Sequence, residues 1–152
     1  MVSESESGPR DGAPLGRLLT TTARDVGRAF DAALAAAGGS RSTWLVLLAL
    51  ITRPAASQRE LADEVGIQGA TLTHHLDGME ADGLLTRRRD PSNRRVHLVE
   101  LTDAGRAAFG RLRGVAQEHD RRLHQGLDPD DLDATRRVLS QMRRNVVAEE
   151  ST

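Results

Sequence analysis

Apolar residues recur every three or four positions along most of the chain, which is the spacing of an amphipathic helix. The first such stripe runs from Leu15 to Ala37, and a pair of glycines ends it. The next segment, from Trp44 to Ile51, is apolar at almost every position and is typical of a helix buried on all sides. The pattern therefore predicts two helices, with Ser40 or Ser42 as the N-terminal cap of the second.

Two shorter helices follow, and each is bounded by a local sequence signal. Ser57 and Glu60 have the spacing of a capping box, in which each side chain binds the backbone N–H of the other residue. Gly66 ends this helix, because glycine adopts the left-handed conformation at little cost. The fourth helix, residues 68–81, is expected to bury one apolar face and expose the other. The apolar face comprises Leu72, Leu76 and Met79.

After residue 83 the periodicity changes from about 3.6 residues to two, which is typical of strands. Segments 84–89 and 95–101 are predicted to form a hairpin, and the sequence between them, Asp90-Pro91-Ser92-Asn93, is typical of a tight turn. Helical spacing returns after Thr102 and again after Pro129. The predicted order is α-α-α-α-β-β-α-α, a mainly α fold of the α+β class.

Composition narrows the domain organisation and the cellular setting. With 152 residues the chain is long enough for one domain of ordinary size, which we place at residues 14–148. Residues 1–13, rich in Ser, Glu and Gly, are predicted to be a disordered tail without a secretory signal. The chain has no cysteine and no apolar run of transmembrane length. We therefore expect a cytoplasmic protein with no membrane partner and no thiolate metal site.

The distribution of charge is more informative than the net charge of −1. All 21 basic residues are arginine, and five of them fall between Arg87 and Arg95. Arginine makes planar, bidentate contacts that lysine cannot make. The three aromatic residues are too few for the stacking platforms of a protein that binds single-stranded nucleic acid. A basic hairpin that contacts duplex DNA is the interpretation that fits both observations.

The order of a short capped helix, a glycine turn, a second helix and a basic hairpin is that of a winged helix-turn-helix, which we place at residues 40–101. The second helix is expected to enter the major groove, because its exposed face carries hydrogen-bonding groups and little bulk. Arg94 and Arg95 at the turn are expected to reach a minor groove. Asp90 is expected to pair with one of them and stabilise the turn. The predicted phosphate contacts are Ser57, Arg87, Arg88 and Arg89.

Residues 57–105, SQRELADEVGIQGATLTHHLDGMEADGLLTRRRDPSNRRVHLVELTDAG, resemble the DNA-binding core of the MarR family. The wing RDPSNRRV followed by LTDAG is the most diagnostic part of this resemblance. The segment STWLVLLAL, residues 42–50, is similar to the second helix of that family. The resemblance implies that the helices within residues 14–38 and 103–148 form a dimer interface.

The resemblance also implies roles for individual residues. The recognition helix would contact the major groove through Gln68, Thr71, Thr73, His74 and His75. Arg94 would enter the minor groove, with Arg95 as its neighbour. The sequence departs from the family pattern at Gln68-Gly69, where Ser and a basic residue are usual. It departs again at His74, where Arg is frequent, and at Asn93, where Asp is common.

Trp44 and His119 each have two interpretations. Trp44 fits a core position, whereas the resemblance places it near a cleft in which the family binds small aromatic or phenolic anions. His119 fits a hydrogen-bonded position on the apolar stripe of its helix, or a place in an effector pocket. His119 and His124 are five residues apart, which is not the spacing of paired metal ligands on a helix, so no metal site is expected. The candidate pocket residues are Arg17, Arg24, Thr43, Trp44 and His119.

Together these features predict a sequence-specific, dimeric transcriptional regulator that binds a near-palindromic operator in duplex DNA and needs no cofactor. Repression relieved by a small-molecule effector is the expected mode, and activation stays open. The alternative is a winged-helix adaptor that binds protein, because residues 57–101 hold six arginines but eight acidic residues. An enzyme is not expected, since the sequence shows no cysteine, phosphate loop or Ser/His/Asp setting.

Overall fold

The computed structural model describes residues 14–149, apart from the side chains of residues 148 and 149. The predicted disordered tail, residues 1–13, lies outside the described residues. Six helices and three short strands occupy the described range, in the following order. They are α1 (Leu15–Ala36), α2 (Arg41–Thr52), β1 (Ala56–Ser57), α3 (Gln58–Val65), α4 (Gly69–Ala81), β2 (Leu85–Arg89), β3 (His97–Leu101), α5 (Asp103–His124) and α6 (Pro129–Glu149).

The predicted mainly α fold with a winged helix-turn-helix is confirmed, with one strand more than expected. The sheet is antiparallel in the order β1-β3-β2, so β3 is central and the predicted hairpin β2–β3 carries an additional partner. In β1, Ala56 lies opposite Val99 of β3. Two residues are too few to show a period of two, which is why the sequence pattern did not predict β1.

Local signals set the boundaries of several helices. The Ser40 side chain accepts a hydrogen bond from the Thr43 N–H, so Ser40, one of the two predicted residues, caps α2. The capping box of Ser57 and Glu60 is present at the start of α3. Gly66 ends α3 in the left-handed conformation, with φ of 70°. These short-range interactions fix where α2 begins and where α3 begins and ends.

One hydrophobic core joins the strands to the helices around them, and no polar residue in the described part of the chain is buried. Leu34 of α1 and Leu112 of α5 are fully buried in this core, beside the residues of the predicted winged lobe. The predicted all-round burial of α2 is wrong: Leu48 and Ile51 are 39% and 37% exposed. Residues three apart share a helix face, and in the single chain this face of α2 is left uncovered.

The chain divides into two compact units, and the boundary falls between Val115 and Ala116, within α5. The first unit contains the sheet, α1 to α4 and the first part of α5. The second contains the rest of α5 and α6, and α6 exposes Val138, Leu139 and Val146. No single helix of residues 14–149 is both long and apolar enough to cross a membrane; α1 and α2 reach that limit only together, across an 80° bend.

The start of α5 packs directly on the backbone that leads into β2. The Thr102 hydroxyl donates to the Gly83 carbonyl (2.6 Å) and accepts from the Gly105 N–H (3.0 Å), while the Thr102 N–H donates to the Leu84 carbonyl. A Cβ atom on Gly105 would lie 2.0 Å from that Leu84 oxygen. Only glycine fits at this position, because the obstacle is backbone and cannot rotate away.

We predict that Gly105→Ala destabilises the protein by at least about 1–3 kcal/mol, the cost of overpacking a close contact. Gly110→Ala is the matched control, since Gly110 lies on the same helix and a Cβ there meets nothing within 4 Å. It should stabilise the helix by up to about 1 kcal/mol through helix propensity. Urea unfolding of the two variants measures both values, and equal effects would contradict the packing argument.

Candidate nucleic-acid interface

The first helix of the helix-turn-helix, α3, has a satisfied N-terminus. The Glu60 N–H donates to the Ser57 hydroxyl (3.2 Å), and the Ser57 N–H donates to the Glu60 carboxylate (2.8 Å). This hydrogen bond from the Ser57 backbone is the main reason that the pKa of Glu60 is lowered. Ser57, predicted to contact a DNA phosphate, is therefore first of all the cap that fixes α3.

The recognition helix α4 has one buried face and one polar face. Leu72, Leu76 and Met79 are buried, as predicted. Among the predicted base-contacting residues, Gln68, Thr71, Thr73 and His74 are exposed and His75 is half-buried. The His74 and His75 rings are tilted by 50°, with 6.4 Å between their centroids. Gln68 precedes the first turn of α4 and makes no side-chain capping hydrogen bond, so the N–H groups of that turn have no side-chain acceptor there.

The exposed Thr73 makes hydrogen bonds within the protein through its hydroxyl. Its hydroxyl donates to the Gly69 carbonyl (3.0 Å) and accepts from the Gln58 side-chain amide (3.4 Å). The hydroxyl proton is used within α4, and the hydrogen bond accepted from Gln58 links α4 to α3. The major-groove contact of Thr73 stays a prediction, and a hydrogen bond donated to a base would need the bond to Gly69 to break.

Two consecutive turns form the tip of the wing, which we define as β2, β3 and the connecting residues 90–96. The Asn93 N–H donates to the Asp90 carbonyl, and the Val96 N–H donates to the Asn93 carbonyl. Pro91 lies at the second position of the first turn, where its fixed φ is favourable. Arg94 and Arg95 are the two central residues of the second turn, and both are exposed.

The predicted pairing of Asp90 with Arg94 or Arg95 is wrong. The Asp90 carboxylate instead accepts from the Ser92 N–H (2.8 Å) and from the Ser92 hydroxyl (2.7 Å). The Ser92 hydroxyl is the main cause of the lowered pKa of Asp90. Asn93 makes the same kind of contact two residues on, accepting from the Arg95 N–H (3.2 Å). Short side-chain to backbone bonds shape the turn because they fix fewer rotors than an exposed ion pair.

The wing arginines fall into two groups. Arg88 is paired with Glu100 across the hairpin (2.7 Å), and Arg87 is paired with Asp77 and Glu80 of α4 (2.6 Å each). The predicted phosphate contact of Arg87 is therefore replaced in this structure by contacts within the protein. Within residues 14–149, no ion pair involves the exposed Arg89, Arg94 and Arg95.

A cavity of about 260 Å³ lies between the start of α3 and the end of the wing. Its basic lining residues are Arg59, Arg95 and His97, and Ser57 lies beside them. Sequence reasoning did not select Arg59 or His97. The missing information was the pairing of β1 with β3, which brings these two segments together.

The candidate effector residues are only partly brought together. In the first unit Trp44 stacks on Phe109, with ring centroids 5.5 Å apart and planes within 1°. The Thr43 hydroxyl lies 3.0 Å from that of Ser40, while Arg17 and Arg24 are exposed on α1. His119 is half-buried in the second unit. Across residues 14–149, no three potential metal-ligating side chains cluster together.

Comparison with known proteins identifies similar chains by sequence and by structure. The family model of the MarR family matches residues 40–97. The uncharacterized HTH-type transcriptional regulator YdgJ of Bacillus subtilis (strain 168) is 34% identical over 115 residues, which cover 74% of this chain and 68% of YdgJ.

Two regulators of known structure are also similar. The transcriptional repressor CouR, bound to a 23-mer DNA duplex, is 34% identical with a TM-score of 0.77, covering 86% of this chain and 93% of CouR. CouR bound to p-coumaroyl-CoA gives 32% identity and a TM-score of 0.73, over 86% and 92% of the two chains. BpsR of Bordetella bronchiseptica, whose DNA binding is regulated by 6-hydroxynicotinic acid, is 26% identical with a TM-score of 0.76. The match covers 90% of this chain and 98% of BpsR.

We predict that Ser92→Ala raises the pKa of Asp90 toward its usual value of about 3.9, because it removes the main cause of the lowering. NMR of the side-chain carboxyl carbon of Asp90 during a pH titration measures this shift. A lowered folded-state pKa stabilises the turn above the usual carboxyl pKa, and that contribution is lost as pH falls through the folded-state value. A wild-type midpoint at or above the usual value would contradict the assignment.

Proposed function

This chain belongs to the MarR family of transcriptional regulators, and from that premise we propose that it binds duplex DNA as a homodimer and represses transcription until a small effector releases it. The observation that carries the proposal is the wing tip, where Arg94 and Arg95 occupy the centre of a turn and have no acidic partner among residues 14–149. Both guanidinium groups are thus available to the narrow, electronegative minor groove. The DNA-bound structure of the relative CouR supports this choice.

The recognition helix provides the second part of the proposed interface. Its exposed Gln68, Thr71 and His74 carry donors and acceptors that can contact base edges in the major groove. The half-buried His75 and the internally bonded Thr73 are proposed as secondary contacts. The N–H groups of the first turn of α4 are proposed as phosphate ligands, since the Gln68 side chain does not occupy them.

Acidic residues in the same lobe are compatible with DNA binding. Glu60 is held by the Ser57 cap, Glu100 by Arg88, and Asp77 and Glu80 by Arg87. Each of these carboxylates has a cationic or N–H partner within the protein, which reduces its repulsion of phosphate. This pairing favours a DNA-binding role over the protein-binding adaptor that the excess of acidic residues suggested.

The proposed homodimer accounts for apolar side chains that the single chain exposes. Leu15, Leu18 and Leu19 are 40–57% exposed on α1, and α6 separately exposes Val138, Leu139 and Val146. Exposed apolar patches of this kind mark protein interfaces. A twofold dimer requires a near-palindromic operator with half-sites about 10 bp apart. Such a regulator would act in the cytoplasm, where the DNA is.

The proposed effector is a small aromatic or phenolic acid, or its thioester. The relatives CouR and BpsR have structures or regulation that involve p-coumaroyl-CoA and 6-hydroxynicotinic acid. In this chain the aromatic surface of Trp44 and Phe109 could stack on such a ring, and Arg17 or Arg24 could bind a carboxylate. Thr43 is a further candidate, and the contribution of His119 stays a prediction.

We predict that Arg94→Ala weakens binding to the operator by about 1–3 kcal/mol and leaves the dimer intact. The probe is the duplex that the wild-type protein selects from a random library, and fluorescence anisotropy measures the affinity. Arg113→Ala on α5 removes the same charge from an exposed position outside the wing, and should bind as tightly as wild type. Equal affinities for the two variants would contradict the assignment of the wing.

We predict that a phenolic acid changes the emission of Trp44, the single tryptophan of the chain, and releases the duplex over the same concentration range. The physical reason is that a ring placed near the Trp44–Phe109 pair changes the surroundings of the indole. Cyclohexanecarboxylate, with the same charge and no π system, is the control ligand. Release of DNA without any change in emission would place the effector elsewhere.

A further inference from the structure

The side chain of Arg87 connects the wing to the recognition helix. Its guanidinium group lies 2.6 Å from a carboxylate oxygen of Asp77 and 2.6 Å from one of Glu80, and its Nε lies 3.0 Å from the latter. The other Glu80 oxygen accepts from the Arg87 N–H at 3.1 Å. Glu80 of α4 thus binds both the backbone N–H and the guanidinium group of Arg87. We name Arg87, Asp77 and Glu80 the Arg87 cluster.

The arginine of the Arg87 cluster is better shielded than the arginine of the other ion pair of the wing. The Arg87 side chain is 19% exposed, whereas that of Arg88 is 47% exposed. Ion pairs between well-exposed groups contribute little, whereas charge-assisted bonds that exclude water are stronger. The side-chain hydrogen bond to Glu80 raises the pKa of Arg87, and the same bond lowers that of Glu80. Both groups therefore stay charged at neutral pH.

The Arg87 cluster joins the edge strand of the wing to the recognition helix. β2 is an edge strand, so the Arg87 N–H is not used by the sheet and Glu80 satisfies it. The link from α4 to β2 is short, and Gly83 within it has φ of 73°. Asp77 and Glu80 are three residues apart and share a face of α4. Both therefore bind Arg87 and connect β2 to α4 in addition to the link.

We propose that Arg87 is a positioning residue for DNA binding: through Glu80 and Asp77 it sets the angle between the wing and the recognition helix, so that both meet their grooves together. The inference rests on the proposed function, because it assigns the geometry of that same interface. This positioning role takes the place of the direct phosphate contact that the sequence predicts for Arg87.

The two roles predict effects of opposite sign for Glu80→Gln. If Arg87 contacted phosphate, removing its acidic partner would free the cation and delete a negative charge near DNA, so affinity would rise. If Arg87 positions the wing, Glu80→Gln weakens binding to the selected duplex about tenfold, the order expected for one charge-assisted hydrogen bond. Binding to random duplex of the same length should not weaken, because it depends on charge and not on register.

Glu100→Gln is the matched control. Glu100 is as exposed as Glu80, at 37%, and its substitution changes the net charge of the same lobe by the same amount. Its partner Arg88 lies within the wing, so this pair does not join the wing to α4. Glu100→Gln should therefore leave specific affinity unchanged or slightly raised. Equal weakening by both variants, or no weakening by Glu80→Gln, would overturn the proposal.

Two further measurements keep the test independent of folding and of the operator. Arg87→Lys keeps the charge but cannot make the bidentate contacts, so it should also weaken specific binding. Wild-type affinity in this variant would instead support a direct contact of Arg87 with phosphate. Hydrogen exchange without DNA should be faster across β2 and β3 in Glu80→Gln than in Glu100→Gln. If the wild-type protein selects no duplex, the proposed function fails, while the exchange difference still decides whether the cluster holds the wing.

Discussion

Burial of one face of a very small sheet holds this lobe together. Ala56, Leu85 and Val99, one from each strand, are almost completely buried in the core that also takes Leu47, Leu61, Leu72 and Leu76 from the helices. Side chains alternate across a strand, so a slip of one residue would move these apolar groups into water and would turn Thr86 and Arg88 toward the core. The register of β2 against β3, in which Arg87 lies opposite Val99, is therefore fixed by hydrophobic burial. Everything that the wing presents to a partner follows from that register.

In this lobe the placement of individual charges matters more than the net charge of the chain. The lobe is acidic by count, yet Asp77, Glu80 and Glu100 are bound to arginines and Asp90 to an N–H group. The arginines at the tip have no acidic partner in the described part of the chain. A negative net charge limits non-specific attraction to nucleic acid, whereas an exposed pair of arginines on a shaped turn favours a particular groove. The arrangement is suited to selectivity more than to tight non-specific adhesion.

The sequence predicted those features that depend on neighbours along the chain. The Ser57–Glu60 capping box, the left-handed Gly66 and the buried face of α4 all arise from residues within four positions of one another. What it missed depends on distant contacts. The strand β1 exists only because β3 lies beside it, and Arg87 is held by residues seven and ten positions away on another element.

Two predictions are wrong for separate physical reasons. Proximity of opposite charges in the sequence predicts that Asp90 pairs with Arg94 or Arg95. In the structure Asp90 is bound by Ser92, since a hydroxyl and an N–H two residues away cost little entropy to reach. For α2 the apolar run predicted burial on all sides, but a run of this kind does not specify how many neighbours one chain supplies. Leu48 and Ile51 remain exposed for that reason.

In the consecutive turns of the wing, the side chains that shape the backbone differ from those proposed to contact DNA. Asp90, Pro91, Ser92 and Asn93 define the path of the backbone, and the side chains of Arg94 and Arg95 take no part in any of its hydrogen bonds. The side chains at these two positions can therefore vary without loss of a hydrogen bond that shapes the turn. If the proposed groove contact holds, target preference can be altered at these positions while the scaffold stays as it is, and an engineer would begin there.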